Sequence, residues 1–429
     1  MRSFSIKKIY KKLTKESIYA NSSYLLSSWT LLAVFGFGFW TICAHLYSDE
    51  QVGLATGLLA ALNLITSLSL IGFEMSIIRF LPKCENKNVL LNTCYSLAAA
   101  AGIIITGIFF ILQPYVSSKL DVIHSSAPVI FLFFLFVVAS IGGFIVESTF
   151  IAYREARYVL RKNFVFSLLK LVLPFLFLGL GAFGIYSAYM LSLTGAVAYS
   201  MLVLARRFNH SFRPKLGIAP LKGMLTFSFG NYVDGFIEGL PVMVLPVMII
   251  NIFGADEAAH YYIAMMLASF LFTVSTSATQ SMFAEGSYEE QELRDIIAKV
   301  LKFLSFSLGP GIIAMVLLGS FILSLFGKGY SGQASGLLDI LAASAILMAL
   351  NSIARTVYRI NFRIISLTII STVGSLAIIA LAYFFRGYGL NGIGLAWLIG
   401  QLVTLTAFAF LLLWQRLKLG HRLRLSRTG

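Results

Sequence analysis

The sequence predicts an all-α polytopic membrane protein, with twelve transmembrane helices in two six-helix bundles that are related as a parallel repeat. Three observations support this prediction: the composition, the number of long apolar runs and the distribution of basic residues. Of the 429 residues, 58% are hydrophobic and 12% are charged, whereas soluble domains carry about 25% charged residues. The composition therefore excludes an ordinary soluble domain.

Twelve apolar runs are long enough to cross a bilayer, which takes about 20 residues per helix. Their approximate bounds are 24–46, 52–73, 91–113, 127–151, 163–183, 185–205, 224–252, 259–283, 300–326, 334–354, 364–384 and 391–414. Only Gly181-Ala182-Phe183-Gly184 separates the fifth run from the sixth. Glycine allows a tight reversal of the chain there.

The basic residues are sorted to one side of the membrane. The twelve runs leave thirteen hydrophilic segments, counting the two tails. Of the 33 Lys and Arg residues, 29 lie in or beside the odd-numbered segments, which include both tails. The four exceptions are Lys119, Lys328, Arg386 and Lys170. Basic segments resist translocation, so we expect a multi-pass protein of the cell membrane with both termini in the cytoplasm. The net charge of +15 is spread over short loops, so a nucleic-acid partner is not predicted.

The charge pattern and the run count divide the chain into five segments. They are a basic cytoplasmic segment (1–23), an N-lobe with helices 1–6 (24–206), a cytoplasmic linker (207–223), a C-lobe with helices 7–12 (224–414) and a basic cytoplasmic tail (415–429). The first apolar run is expected to be an anchor and not a cleaved signal peptide.

Two short motifs recur at matching places in the two lobes. The segment Leu46–Glu50, between runs one and two, resembles Phe253–Glu257, between runs seven and eight. Tyr153-Arg154 closes run four and Tyr358-Arg359 closes run ten. Since six crossings is an even number, both lobes insert with the same orientation, which is the parallel type of repeat.

Run seven carries the most polar stripe. Asn231, Asp234 and Glu238 fall on one face of a helix. Asn231 is a candidate substrate contact, and the two carboxylates are candidate ion-coupling groups for H⁺ or Na⁺, since adjacent carboxylates raise each other's pKa. The alternative is that they pair with cations of neighbouring helices and fix packing. Pro241 and Pro246 follow and favour kinks, so they are candidate gating residues.

Three further charged residues are candidate substrate contacts. Lys170 lies inside run five and Glu147 inside run four, while Arg79 follows run two. A cation in a dry cavity is suited to a phosphate. The alternative for Lys170 is an ion pair with Glu147, and the alternative for Arg79 is an anchor against lipid headgroups.

The chain lacks the motifs of common enzymes and metal sites. It has no Walker lysine loop, HExxH or GxSxG, and Cys43, Cys84 and Cys94 have no metal or redox spacing. No cofactor, metal or enzymatic activity is therefore predicted. Energy for transport would come from an ion gradient, the membrane potential or consumption of the product.

Seven short segments, spread over nearly the whole chain, carry a family resemblance. They are Val52–Ala55, Leu70–Glu74, Ile78–Pro82, Leu240–Pro246, Ala259–Ala264, Ser281–Gly286 and Phe326–Tyr330. In their order and placement they resemble the oligosaccharide flippase branch (Wzx-like) of the multidrug/oligosaccharidyl-lipid/polysaccharide exporter superfamily.

This resemblance implies two six-helix bundles that work by alternating access on an oligosaccharide linked to polyprenyl or dolichyl pyrophosphate. The head group would cross through a central polar cavity while the lipid tail stays in the bilayer. We expect a monomer that contacts membrane lipid and works beside glycan-assembly enzymes.

Three other functions remain open from the sequence. The first is a cation-coupled multidrug or small-molecule exporter of the same fold, because fold does not fix substrate. The second is a glycan polymerase or ligase, which is disfavoured because no outer loop is long enough for a catalytic domain. The third is a structural membrane protein, which would leave the cost of its buried charges uncompensated.

Overall fold

The computed structural model describes residues 3–116, 119, 126–212, 221–286, 293–361 and 363–425. Within these residues, side chains are described for 21, 23–115, 119, 126–212, 232–283, 293–327, 329–361 and 363–411.

The described residues form helices and no strands, which confirms the predicted all-α class. The helices are α1 (Ser3–Leu46), α2 (Asp49–Leu70), α3 (Phe73–Phe80), α4 (Lys87–Val116), α5 (Ala127–Ala152), α6 (Ala156–Leu176), α7 (Gly181–Arg207), α8 (Leu221–Ile252), α9 (Ala255–Gly286), α10 (Leu293–Ser324), α11 (Lys328–Ile360), α12 (Ile364–Phe384) and α13 (Gly389–Leu425). Short 3₁₀ turns cover Leu81–Lys83, Leu178–Leu180 and Phe385–Tyr388.

Length and apolarity identify ten candidate membrane spans among the described residues, against the twelve predicted. One of the ten, 364–411, contains both α12 and most of α13. Helix α6 is not among the ten; it is long enough at 21 residues but carries Arg157, Arg161, Lys162 and Lys170. The twelve predicted runs thus correspond to the twelve long helices, and α3 is an additional helix of 8 residues.

The chain divides into two compact units, residues 1–232 and 233–429. The first unit contains α1–α7 and the beginning of α8, and the second contains the rest of α8 and α9–α13. These units describe where the chain is densely packed. The predicted bounds of the lobes and linker stay a prediction.

Corresponding helices pack in the same order inside each unit. In the first unit α2 packs on α4, α4 on α5, α5 on α7, and α6 on α7. In the second unit α9 packs on α10, α10 on α11, α11 on α13, and α12 on α13. Each unit therefore repeats one pattern of helix neighbours.

The turn before the last helix of each unit is the most detailed repeat. The sequence Phe-x-Gly-x-Gly-x-x-Gly-Ile occurs at Phe177–Ile185 and again at Phe385–Ile393. Gly181 and Gly389 begin α7 and α13 with φ angles of +55° and +61°, which glycine adopts at little cost. Only the first of these two turns was predicted from the sequence.

The last glycine of each motif allows a close approach of backbone. A Cβ atom at Gly184 would overlap the carbonyl oxygen of Phe177, and one at Gly392 would overlap that of Phe385. Each turn can therefore fold back onto the helix that follows only if this position is glycine.

The two repeated tyrosines also occupy matching places. Tyr153 stacks on Phe208 with ring centroids 4.9 Å apart, and Tyr358 lies edge-on to Phe408 at 5.2 Å. The helix ends differ, because Arg154 leaves the helix with a φ of +58°, whereas α11 continues to Ile360.

Candidate functional site

The carboxylates of α8 lie on one face of the helix, as predicted. Asp234 is 1% exposed, while the side chain of Glu238 is 41% exposed. A carboxylate as buried as Asp234 needs hydrogen-bond or ionic partners to offset the loss of its hydration.

Two arginines of α11 supply these partners. Arg359 Nη2 lies 3.1 Å from Asp234 Oδ2, and Arg355 Nη1 lies 2.8 Å from Glu238 Oε2. Each guanidinium also faces the other carboxylate, Arg355 to Asp234 at 3.8 Å and Arg359 to Glu238 at 3.9 Å. The four side chains form one cluster whose formal charges cancel, and we call it the α8–α11 charge cluster.

Helix α12 completes the surroundings of Asp234. Ser371 Oγ lies 2.5 Å from Asp234 Oδ1 and 2.9 Å from the carbonyl oxygen of Leu367. The hydroxyl has one proton to donate, and the carboxylate is the closer, charged acceptor. One turn further along, Ser375 Oγ donates to the carbonyl oxygen of Ile237 at 2.7 Å. Side chains of α11 and α12 therefore both hold α8 at its polar stripe.

This arrangement agrees with the packing alternative for Asp234 and Glu238. Two guanidinium groups offset the repulsion between the carboxylates that would otherwise favour capture of a cation. The sequence contained a signal for the pairing that went unused. Arg355 and Arg359 are four positions apart, as are Asp234 and Glu238. Each pair therefore lies on one face of its helix, and two such helices that face each other can match the two pairs of charges.

The other candidates on α8 are placed as follows. Pro241 and Pro246 both lie inside the continuous helix and are buried. Their gating role stays a prediction. Asn231 belongs to α8, and its side chain lies outside the described residues.

Lys170 is a buried cation of the first unit. It lies on α6 with 3% exposure, and its Nζ lies 4.8 Å from the centroid of the Phe166 ring. A Cβ atom at Gly36 of α1 would lie 3.9 Å from the same nitrogen. Among the side chains that the structure describes, none forms an ion pair with Lys170.

Glu147 forms an ion pair with Lys162 and not with Lys170. Lys162 Nζ donates to Glu147 Oε2 at 2.5 Å, and Lys162 is 4% exposed. The predicted alternative of a Glu147–Lys170 ion pair is therefore wrong. The error arose because the N-terminal part of α6 was assigned to the cytoplasm, whereas Lys162 is buried against α5.

The region around α3 contains a carboxyl group with a perturbed pKa. Burial, together with the nearby charge of Glu147, raises the pKa of Glu74 to about 7. Arg79 lies on the same short helix and is exposed, with its guanidinium 5.8 Å from the Phe80 ring centroid. Lys170, Glu147 and Arg79 thus lie on three different helices of the first unit.

The described residues contain no group of three or more His, Cys, Asp or Glu side chains that could hold a metal ion. Cys43, Cys84 and Cys94 are free thiols, and the first and last are buried.

The model of a family described as polysaccharide biosynthesis protein matches residues 42–332. No curated protein sequence matches the chain.

Solved structures of transporters share the fold at low sequence identity. The lipid II flippase MurJ in an inward closed conformation has a TM-score of 0.72 and 14% identity, covering 91% of this chain and 87% of that one. An inward-facing multidrug resistance MATE family transporter of the MOP superfamily has a TM-score of 0.63 and 15% identity, covering 94% and 95%. A mutant of the Vibrio cholerae MATE transporter VcmN has a TM-score of 0.62 and 15% identity, covering 94% and 98%.

Proposed function

Because the chain belongs to the polysaccharide biosynthesis protein family, we propose that it moves a lipid-linked oligosaccharide across the cell membrane. The substrate class is an oligosaccharide on polyprenyl or dolichyl pyrophosphate, and the mechanism is alternating access. Both termini lie in the cytoplasm, the protein works as a monomer beside glycan-assembly enzymes, and it performs no covalent chemistry itself.

Lys170 is the observation that carries this proposal. An ionised lysine at the middle of a membrane helix costs about 2.5–3.5 kcal/mol on insertion scales. The Phe166 ring offsets part of this cost by a cation–π contact, and no described carboxylate offsets the rest. A pyrophosphate is the anion that the proposed substrate would bring to this lysine, and it would form charge-assisted hydrogen bonds with the ammonium group.

Glu147 and Arg79 have supporting roles in this proposal. Glu147 holds Lys162, so the pair fixes α5 against α6 beneath Lys170. Arg79 is exposed and meets the substrate phosphate or lipid headgroups before Lys170 does.

We assign the α8–α11 charge cluster to coupling and not to direct substrate binding. Protonation of Asp234 or Glu238 would leave Arg355 and Arg359 with less negative charge nearby, and this would weaken the attachment of α8 to α11. The helix that carries Pro241 and Pro246 would then be freer to bend. The proposed coupling ion is H⁺ or Na⁺, since either one would neutralise carboxylate charge in the cluster.

A deletion strain and two lysine variants test the proposal. The strain should accumulate lipid-linked oligosaccharide on the cytoplasmic leaflet. The variant Lys170→Met should restore export at least about tenfold less well than the wild type, since one hydrogen bond to a charged group contributes about 1.5–3 kcal/mol. The variant Lys170→Arg keeps the charge and should restore a larger share of export.

The amount of each variant in the membrane and its melting temperature separate loss of transport from loss of folding. Full export by a well-folded Lys170→Met would assign the lysine to structure only. Normal surface glycan in the deletion strain would reject the function.

A second candidate function is cation-coupled export of small organic molecules. The side chain of Glu238 is 41% exposed, and this favours the second candidate because an organic cation could reach the carboxylate and compete with Arg355 for it. Loss of resistance to cationic dyes in Asp234→Asn or Glu238→Gln, with surface glycan unchanged, would support it over the first.

A further inference from the structure

A groove on the first unit is separate from the buried charges. It has a volume of about 440 Å³, within the range of about 300–1,000 Å³ that small-molecule sites occupy. It lies between α1, α6 and α7, and the lining residues are Leu31, Leu160, Arg161, Phe164, Val165 and Tyr199. The lining is therefore apolar apart from the guanidinium of Arg161 and the hydroxyl of Tyr199.

The groove lies on the exposed face of α6, away from the core of the unit. Phe164 and Arg161 are exposed, whereas Lys162 and Lys170 on the same helix are buried. A helix with a buried polar face and an exposed apolar face presents the exposed face to lipid. Whatever fills this groove reaches it from the bilayer, and it need not pass Lys170.

Arg161 is suited to binding an anion at one end of the groove. Its guanidinium carbon lies 5.4 Å from the centroid of the Tyr158 ring. A guanidinium that lies over a ring keeps its N–H donors available for an acceptor such as phosphate. None of the described carboxylates forms an ion pair with Arg161.

Arg157 provides the contrast, one turn earlier on the same helix. Its Nε lies 2.6 Å from Glu155 Oε2, so its charge is already compensated. It also lies against the Tyr158 ring, at 5.0 Å, but it does not line the groove.

We propose that the α1/α6/α7 groove binds an anionic phospholipid, with one acyl chain against Phe164, Leu31 and Tyr199 and the phosphate on Arg161. Charge complementarity supports this occupant, because the single charged group of an otherwise apolar groove is an uncompensated cation. The sorting of basic residues places Arg161 on the cytoplasmic side, where anionic lipids give the membrane surface a negative potential. The site does not depend on which substrate the protein transports.

Photo-crosslinking in vesicles tests this site. The full-length protein is reconstituted in phosphatidylcholine vesicles that contain a small fraction of a lipid with a photoactivatable acyl chain. The headgroup is either phosphatidylglycerol or phosphatidylcholine, and labelled peptides of α1, α6 and α7 are quantified by mass spectrometry.

We expect the phosphatidylglycerol probe to label the groove peptides about fivefold more than the phosphatidylcholine probe, since one basic residue near the surface contributes about 1 kcal/mol to binding an anionic lipid. Arg161→Gln should abolish this preference, while Arg157→Gln should keep it. The variant Phe164→Ala should reduce labelling by both probes, because it removes part of the apolar wall of the groove that contacts the acyl chain.

Two results would overturn the proposal. Equal labelling by the two probes in the wild type would show ordinary contact with surrounding lipid. Loss of the preference in Arg157→Gln to the same extent as in Arg161→Gln would show that general surface charge attracts the lipid. Neither result depends on transport activity, so the site and the proposed function succeed or fail separately.

Discussion

The α8–α11 charge cluster predicts a measurable coupling between Asp234 and Arg359. The perturbation is a double-mutant cycle with Asp234→Asn, Arg359→Gln and the combination of the two. The Asp234 side chain is 2% exposed and that of Arg359 is 41% exposed. The burial of this pair is intermediate between two known cases. Exposed ion pairs have a coupling free energy of about 0.2–1 kcal/mol, and removal of one partner from a buried pair costs about 3–5 kcal/mol.

We therefore expect a coupling free energy of about 2 kcal/mol, intermediate between these two cases. Each single variant should be less stable than the wild type, and the double variant should be more stable than the sum of the two losses predicts. The assay is the free energy of unfolding of the full chain in mixed detergent micelles, titrated with a denaturing detergent.

The chain offers a matched control for this cycle. Glu155 and Arg157 form a closer pair at 2.6 Å, but their side chains are 31% and 48% exposed. The cycle with Glu155→Gln and Arg157→Gln should give a coupling of no more than about 0.5 kcal/mol, because solvent screens exposed pairs. A coupling for Asp234 and Arg359 that equals the control value would refute the idea that the cluster holds α8 to α11.

Three further predictions concern the turns, a titrating carboxyl group and the helix prolines. Gly392→Ala should lower the free energy of unfolding by about 1–3 kcal/mol, because the added Cβ would overlap the carbonyl oxygen of Phe385. Gly387→Ala is the control: its Cβ would meet no atom within 4 Å, so its effect should be much smaller. Equal losses of stability in the two variants would contradict this explanation of the turn. Glu74 has a pKa raised from 4.5 to about 7, so the folded protein binds its proton more tightly than the unfolded chain. The stability of the wild type relative to Glu74→Gln should therefore fall as pH rises from 4.5 through 7. Unfolding titrations of both proteins at several pH values measure this, and a wild type that gains stability relative to Glu74→Gln as pH rises would contradict it. Pro246→Ala restores a backbone donor to α8 and should slow transport while the melting temperature stays the same or rises; unchanged transport would remove this proline from the gating mechanism.

The sequence predicted the helices well because the signals for them are local. Each membrane span is a run of apolar residues, and the basic residues at its ends fix its boundaries. Helix α6 illustrates the limit of that reasoning. It carries four basic residues, and its N-terminal part was assigned to the cytoplasm because the predicted apolar run begins only at residue 163.

The partners of the buried charges could not be predicted from the sequence in the same way. Asp234 and Glu238 were recognised as one stripe, since the spacing along a helix shows that. Which cations face them depends on how α8, α11 and α12 pack, and sequence separations of more than 100 residues give no register for that packing. The partner of Glu147 was also ambiguous, because α6 carries Lys162 and Lys170 eight positions apart and the sequence does not show which of them faces α5.

The repeated turns show a signal that was present and missed. The motif of Phe177–Ile185 recurs without a gap at Phe385–Ile393. Its glycines are required by a positive φ angle and by a close approach of backbone atoms, which residues with a side chain do not tolerate. A search for glycine spacing, and not for polar motifs, would have found it.

Flipping by the purified protein tests the central claim most directly. The full chain is reconstituted in vesicles with a fluorescent oligosaccharide on polyprenyl pyrophosphate, and the fraction of label that becomes accessible to an external quencher is followed with time. The account predicts rapid flipping by the wild type, at least about tenfold slower flipping by Lys170→Met, and a substantial rate for Lys170→Arg. No flipping by the wild type, in vesicles where it exports a cationic dye, would contradict the account.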